Sequence, residues 1–185
     1  GLSQQLSEAV IDWQDPDELN IGPMGAESSY YQSLSNAALP PNANFHSVEQ
    51  LKLVRRFEEQ RYKLLHALVT TAPLHDSRIN INTASAAVLA SLDEKLNVNA
   101  VQQALDAKRG AQEYFSSVAQ LWEMPPFDQV DLEKRNQFSS LLGVQSTVFK
   151  ARIEVMLSER KRQFTSDLVR EDKKVYITYR SMAPF

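Results

Sequence analysis

The sequence has no cysteine among its 185 residues. Thiol catalysis, thiolate metal sites and disulfide frameworks are therefore excluded, while a reducing and an oxidising compartment both stay open. Histidine is scarce as well, leaving His46, His66 and His75 as candidates for an imidazole base. Tyr62, Lys63, Val69 and Thr70 stand at helical spacing from His66, so no carboxylate orients it and an ordinary structural histidine is the simpler reading for each of the three. No Gly-x-Ser-x-Gly elbow, glycine-rich phosphate loop or His-Glu-x-x-His helix occurs, and nothing in the chain calls for an enzyme. Neither sign of charge dominates: Lys and Arg number 20 against 23 Asp and Glu, a net charge of −3. A non-specific nucleic-acid binder needs a clear basic excess. No apolar run approaches the roughly 18 residues that span a bilayer, and residues 1–12 lack the basic and apolar regions of a signal peptide. The chain reads as soluble by itself and as a piece of a longer polypeptide.

With 43% hydrophobic and 23% charged residues, the composition is that of a folded protein and not of a disordered tail. The length suits one large domain or two modest ones. Leu2, Leu6, Ala9, Val10 and Trp13 form one apolar helical stripe, which should stop at Asp15-Pro16 because the residue before proline is pushed out of the α region. Residues 14–44, with Gly22-Pro23, Gly25 and Pro40-Pro41, read as a long irregular connection. A helix is expected over residues 46–70, opened by a Ser47/Gln50 capping box and ended by Pro73. An extended piece at Ile79-Asn80-Ile81 should then feed a helix capped at Asn82 or Thr83. Further helices fit residues 98–109, 116–123 and 130–142.

After Gly143 the period changes from helical to two. Phe149, Ala151, Ile153, Val155 and Leu157 alternate with polar residues; Phe164, Ser166 and Leu168, then Val175, Ile177 and Tyr179, suggest two more strands. Hairpins are expected near Arg160-Lys161 and Asp172-Lys173. The fold class is α+β, with a helical domain over residues 1–143 and antiparallel strands over 144–185. A three-stranded meander has an apolar face that must be covered. The cover comes either from the helical region or from a helix preceding residue 1.

Two segments invite a chemical reading. Residues 79–92 resemble the opening of a helix-hairpin-helix module, whose DNA-binding forms offer glycine-rich backbone N–H groups to phosphate. Here the connection is Asp93-Glu94-Lys95-Leu96-Asn97, without glycine and with two carboxylates, so it serves packing better than phosphate binding. In residues 12–31, Asp12, Asp15, Asp17, Glu18 and Glu27 crowd a turn-rich loop. Calcium takes six to eight oxygens from such groups. The spacing is not that of an EF-hand, since twelve positions from Asp15 end on Ala26. A solvated acidic loop whose aspartates cap turns is the alternative.

Taken in order, these pieces resemble the K-type minor pseudopilins of type II secretion systems. The resemblance rests on Asp12-Trp13-x-Asp15-x-Asp17, Gly25-Ala26-Glu27 with Tyr30-Tyr31, Ser47-Val48-Glu49-Gln50-Leu51-Lys52-Leu53-Val54, Ile79-Asn80-Ile81-Asn82-Thr83-Ala84 and the terminal strands. It implies a pilin-like sheet, here incomplete, with a helical domain of sterile-alpha-motif-like subdomains inserted into it and an N-terminal anchor helix not included in this chain. It implies calcium in the acidic loop, carried over here to Asp15, Asp17 and Glu27; Ser28 stands where the family is often acidic, which leaves the full ligand count open. It further implies a structural subunit at the pseudopilus tip that joins I- and J-type minor pseudopilins, helps initiate assembly and contacts secreted proteins. The full-length form would face the periplasm from the inner membrane.

Overall fold

A computed structural model of the protein describes residues 4–72 and 78–183. Leu2, Pro73 and His75 lie outside the described residues. The chain divides into two compact units, residues 1–71 and 72–185.

The first unit opens with α1 (Gln4–Asp12). Its stripe buries Leu6, Ala9 and Trp13 against Ala26, Tyr31, Leu51, Val54 and Phe57. Gln14 and Asp15 N–H groups both donate to the Ile11 carbonyl, at 2.8 and 2.9 Å, closing the helix just before Pro16. The long connection contains a short α2 (Ser28–Gln32) that turn-rich flanks hide from a periodicity reading. Trp13 meets the edge of Tyr31 with ring centroids 5.1 Å apart, a favoured aromatic geometry.

The helix expected over residues 46–70 is instead two pieces, a 3-10 helix at Val48–Leu53 and α3 (Glu59–Leu65). Leu51, Val54 and Phe57 are all buried. Their three-residue spacing suits a 3-10 turn, which stacks i and i+3, and Arg56 at φ 67° then breaks any continuous α-helix. The glutamine half of the capping box is in place, with Gln50 Oε1 accepting the N–H groups of His46 and Ser47 at 2.6 and 3.2 Å.

In the second unit, β1 (Ile79–Asn80) pairs in parallel with β2 (Leu142–Gly143). Between them lie α4 (Ala86–Ala90), α5 (Val98–Gly110), α6 (Ala119–Trp122), a 3-10 turn (Phe127–Gln129) and α7 (Leu132–Ser139). They enclose a core in which Ile81, Leu89, Val101, Leu105, Leu121, Phe127 and Leu142 are fully buried or nearly so. The cap of α4 is Ser85, whose side chain accepts from Val88 N–H at 3.3 Å, and not Asn82 or Thr83. Asn82 is a hub instead. Its side chain accepts the Phe115 N–H at 2.8 Å and donates to the carbonyls of Phe115 and Val144 at 3.1 and 3.2 Å.

Strands β3 (Val148–Leu157), β4 (Arg160–Glu171) and β5 (Lys174–Ala183) form the expected antiparallel meander. The first turn falls at Ser158-Glu159, because Leu157 pairs with Arg160. The second is Asp172-Lys173, both with positive φ as a type I′ turn demands. A register shift beside Asp167 and Leu168 puts Ile177 opposite Leu168 but Tyr179 opposite Asp167. Ile177 and Tyr179 therefore point to opposite faces, although strict alternation would unite them. Phe149, Ile153, Val155, Phe164, Leu168, Ile177 and Met182 share one face. The other carries Lys150, Glu154, Lys161 and Asp167, joined in the ion pairs Lys150–Asp167 and Lys161–Glu154. Among the described residues, no helix is long and apolar enough to cross a membrane.

Candidate metal centre

Two carboxylates one turn apart on α1 organise the acidic loop. Glu8 accepts the Met24 N–H at 3.0 Å, and Asp12 accepts the Ile21 N–H at 3.2 Å. The Gly25 N–H closes a turn on the Gly22 carbonyl at 3.0 Å, bringing the chain back against α1. A Cβ on Gly25 would stand 2.1 Å from Asp12 Oδ2, and one on Gly22 would stand 2.5 Å from the Glu8 carboxylate, so a side chain at either position has to push that carboxylate aside. The return delivers Glu27 to the N-terminus of α2, where its carbonyl accepts the Tyr30 and Tyr31 N–H groups at 2.9 and 3.3 Å.

The result is a group of three carboxylates. Asp12, Asp15 and Glu27 each place one oxygen within 4.8 Å of the others. Asp12 is 0% exposed and Glu27 2%. Asp12 Oδ2, Asp15 Oδ1 and both Glu27 oxygens are buried without a hydrogen-bond donor. An unpaired buried carboxylate is strongly disfavoured. Burial, then the charges of Asp12, Asp15, Glu18 and Asp17, push the Glu27 carboxyl up to about 7. Burial and the charges of Asp17 and Asp12 raise Asp15 as well. A hard cation placed among these oxygens would satisfy them all at once. Oxygens on opposite sides of one calcium ion stand about 5 Å apart, so the observed spacing fits a shared ion, and the donor set is wholly oxygen.

Two of the three expected ligands, Asp15 and Glu27, thus come together. Asp17 stands outside the group, with Oδ1 accepting the Leu19 N–H at 2.8 Å. Asp12 joins it. Its position as the last residue of α1 was the available signal, because a carboxylate at a helix C-terminus opposes the helix dipole unless something compensates it. Glu18 turns away to Ser28, accepting from its N–H at 3.2 Å and its hydroxyl at 2.7 Å.

The other sequence candidates are engaged in local structure. His66 lies on Tyr62 with centroids 5.3 Å apart and its Nδ1 is 2.9 Å from the Lys63 carbonyl. His46 is exposed. In the helix-hairpin-helix-like segment, the Asn97 side chain already caps the N–H groups of Asn99 and Ala100 at the start of α5. Asp93 is tied to Lys134 at 2.9 Å, which holds its carboxyl below the usual range. Nothing favours the nucleic-acid reading.

Two family models described as "Type II secretion system (T2SS), protein K" match residues 1–74 and 79–145. "Type II secretion system protein K" of Aeromonas hydrophila is 28% identical over 181 residues, covering 95% of this chain and 53% of that protein. Its namesake from Pseudomonas aeruginosa is 29% identical over 184 residues, covering 98% and 52%. The chain therefore spans about half the length of the curated relatives it matches. A chain in the crystal structure of the GspK-GspI-GspJ complex from the enterotoxigenic Escherichia coli Type 2 Secretion System superposes with a TM-score of 0.76 at 21% identity, covering 98% of this chain and 63% of that one. That likeness establishes the shared α+β fold. With models of one family matching both units of the chain, this protein belongs to the type II secretion system protein K family.

Proposed function

We propose that the chain is the greater part of the periplasmic portion of a structural minor pseudopilin, which caps the type II secretion pseudopilus with I- and J-type subunits and helps start its assembly. The observation that carries this reading is the bare apolar face of the terminal sheet, in a chain of this family. Ile153 and Ile177 are 47% and 53% exposed, and Leu157 is 77% exposed. Exposed apolar area of that kind marks a surface awaiting a partner element. In this reading residues 144–185 belong to a pilin-like domain whose remaining parts, an anchor helix in the inner membrane and a first strand, belong to the longer polypeptide. Secreted proteins would be met by the assembled tip. The test is reconstitution: a longer polypeptide carrying the N-terminal segment, mixed with I- and J-type partners, should elute as a stable ternary complex on size exclusion. Persistent separate elution would refute the tip assignment.

We propose further that Asp12, Asp15 and Glu27 hold a calcium ion, with Asp17 adding negative charge beside it. The orphaned oxygens support this reading. The ion would neutralise the cluster and fix a loop too long to order itself. Saturating calcium at about 100 times its dissociation constant should stabilise the fold by roughly 2.7 kcal/mol. Chelation of calcium-loaded protein should therefore lower the melting temperature, and Asp12→Asn or Glu27→Gln should remove the response. Asp17→Ala should weaken it. A melt indifferent to chelator, starting from demonstrably loaded protein, refutes a stabilising site.

A further inference from the structure

Glu27 is the one ligand of the proposed centre that does not lie on α1 or in the turn directly after it. Its placement depends on what holds residues 25–31 in register. Arg55 grips that segment on both sides of Glu27. On the near side, its Nη1 donates to the Gly25 carbonyl at 2.7 Å. On the far side, its guanidinium lies 4.7 Å above the Tyr30 ring, and its own backbone N–H donates to the Tyr31 hydroxyl at 3.2 Å. The arginine is itself fixed, because its neighbour Val54 is buried and donates its N–H to the Leu51 carbonyl at 3.2 Å. None of the ion pairs among the described residues uses Arg55. The side chain acts as a clamp on a carbonyl and a ring, not as the counter-charge of the acidic cluster.

We infer that Arg55 is a positioning residue for the metal centre, holding Glu27 at the ion by fixing the backbone before it and the aromatic pair after it. This rests on the calcium reading above. The inference makes a sign prediction that a purely electrostatic role contradicts. A nearby positive charge repels a cation, so its removal would tighten calcium binding. Loss of a clamp weakens binding, as removal of residues that orient ligands commonly does by about 10- to 100-fold.

The experiment is calorimetric calcium titration of the 185-residue chain, well below its melting temperature, with near-ultraviolet circular dichroism of the Trp13 and Tyr31 rings as the check on folding. Arg55→Gln and Arg55→Lys are both expected to weaken calcium binding about 10- to 100-fold. Lysine fails despite its charge because it lacks the planar fork that bonds a carbonyl while lying on a ring. Tyr30→Leu, which removes only the platform, should weaken binding in the same direction by less, and it stands in should the arginine variants fail to fold. Tighter or unchanged binding in the folded variants overturns the positioning role, as does a lower melting temperature with unaltered affinity. Wild-type chain that takes up no calcium overturns the metal centre itself, a result distinct from either.

Discussion

The metal-free Glu27 carboxyl titrates at about 7 in the folded chain, against 4.5 for the ordinary group. Between those two values the folded state binds more protons than the unfolded state, so stability must fall as pH rises. Metal-free protein should therefore melt at a higher temperature near pH 5 than near pH 8, with the raised Asp15 acting in the same sense at the acid end. Calcium must reverse this dependence, since its ligands bind it in the ionised form. Thermal melts across that range, in chelator and in calcium, measure both trends; a metal-free melt that improves towards pH 8 would contradict the burial argument. Gly25 makes a second single-residue case. An added Cβ would sit 2.1 Å from Asp12 Oδ2, so Gly25→Ala must displace that carboxylate, a ligand of the proposed centre. It is expected to weaken calcium by at least tenfold, on the order of other site-distorting changes, measured by the same titration.

Hydrogen bonds that tie one segment to another decide where the secondary structure begins and ends. Gln50→Ala removes the acceptor shared by the His46 and Ser47 N–H groups and should cost about 1 kcal/mol in denaturant melts. Asn82→Ala should cost about 2 kcal/mol, because it strands the Phe115 N–H and two carbonyls inside the second unit. These contacts also explain what could be read beforehand. Periodicity alone located α1, α5 and the three strands of the meander, where a single repeating spacing runs for two turns or more. It merged residues 46–70 into one helix because Leu51, Val54 and Phe57 fit a three-residue spacing as well as an α-helical one; the left-handed Arg56 that separates the two pieces has no sequence signature. It placed the α4 cap at Asn82 or Thr83, whereas Asn82 is drawn away by partners 33 and 62 residues distant. The acidic loop was legible as a cluster. The choice of Asp12 over Asp17 was legible only in part: a carboxylate near the end of α1 is a weak signal, and the choice is settled by the Gly22–Gly25 turn folding the loop back on α1.

The two compact units bury their own cores, yet the terminal sheet leaves one apolar face to solvent while its opposite face is laced by ion pairs. That asymmetry is the pattern of a sheet with one face to be covered, with Arg162, Arg170 and Arg180 interleaved among the apolar side chains of that face. It separates two situations by a mutation that is silent in one and costly in the other. In the 185-residue chain, the double change Ile153→Thr with Ile177→Thr removes side chains that are already half exposed. It keeps their β-branching, so it should alter stability by no more than about 0.5 kcal/mol while lowering the binding of a hydrophobic dye. In a longer polypeptide that supplies a helix over this face, the same pair should cost about 2 kcal/mol or more, because both isoleucines would then be buried. Denaturant unfolding of the four proteins decides the matter. A small effect in both lengths would mean that the face stays bare within the polypeptide, and its cover would have to come from another subunit of the assembly.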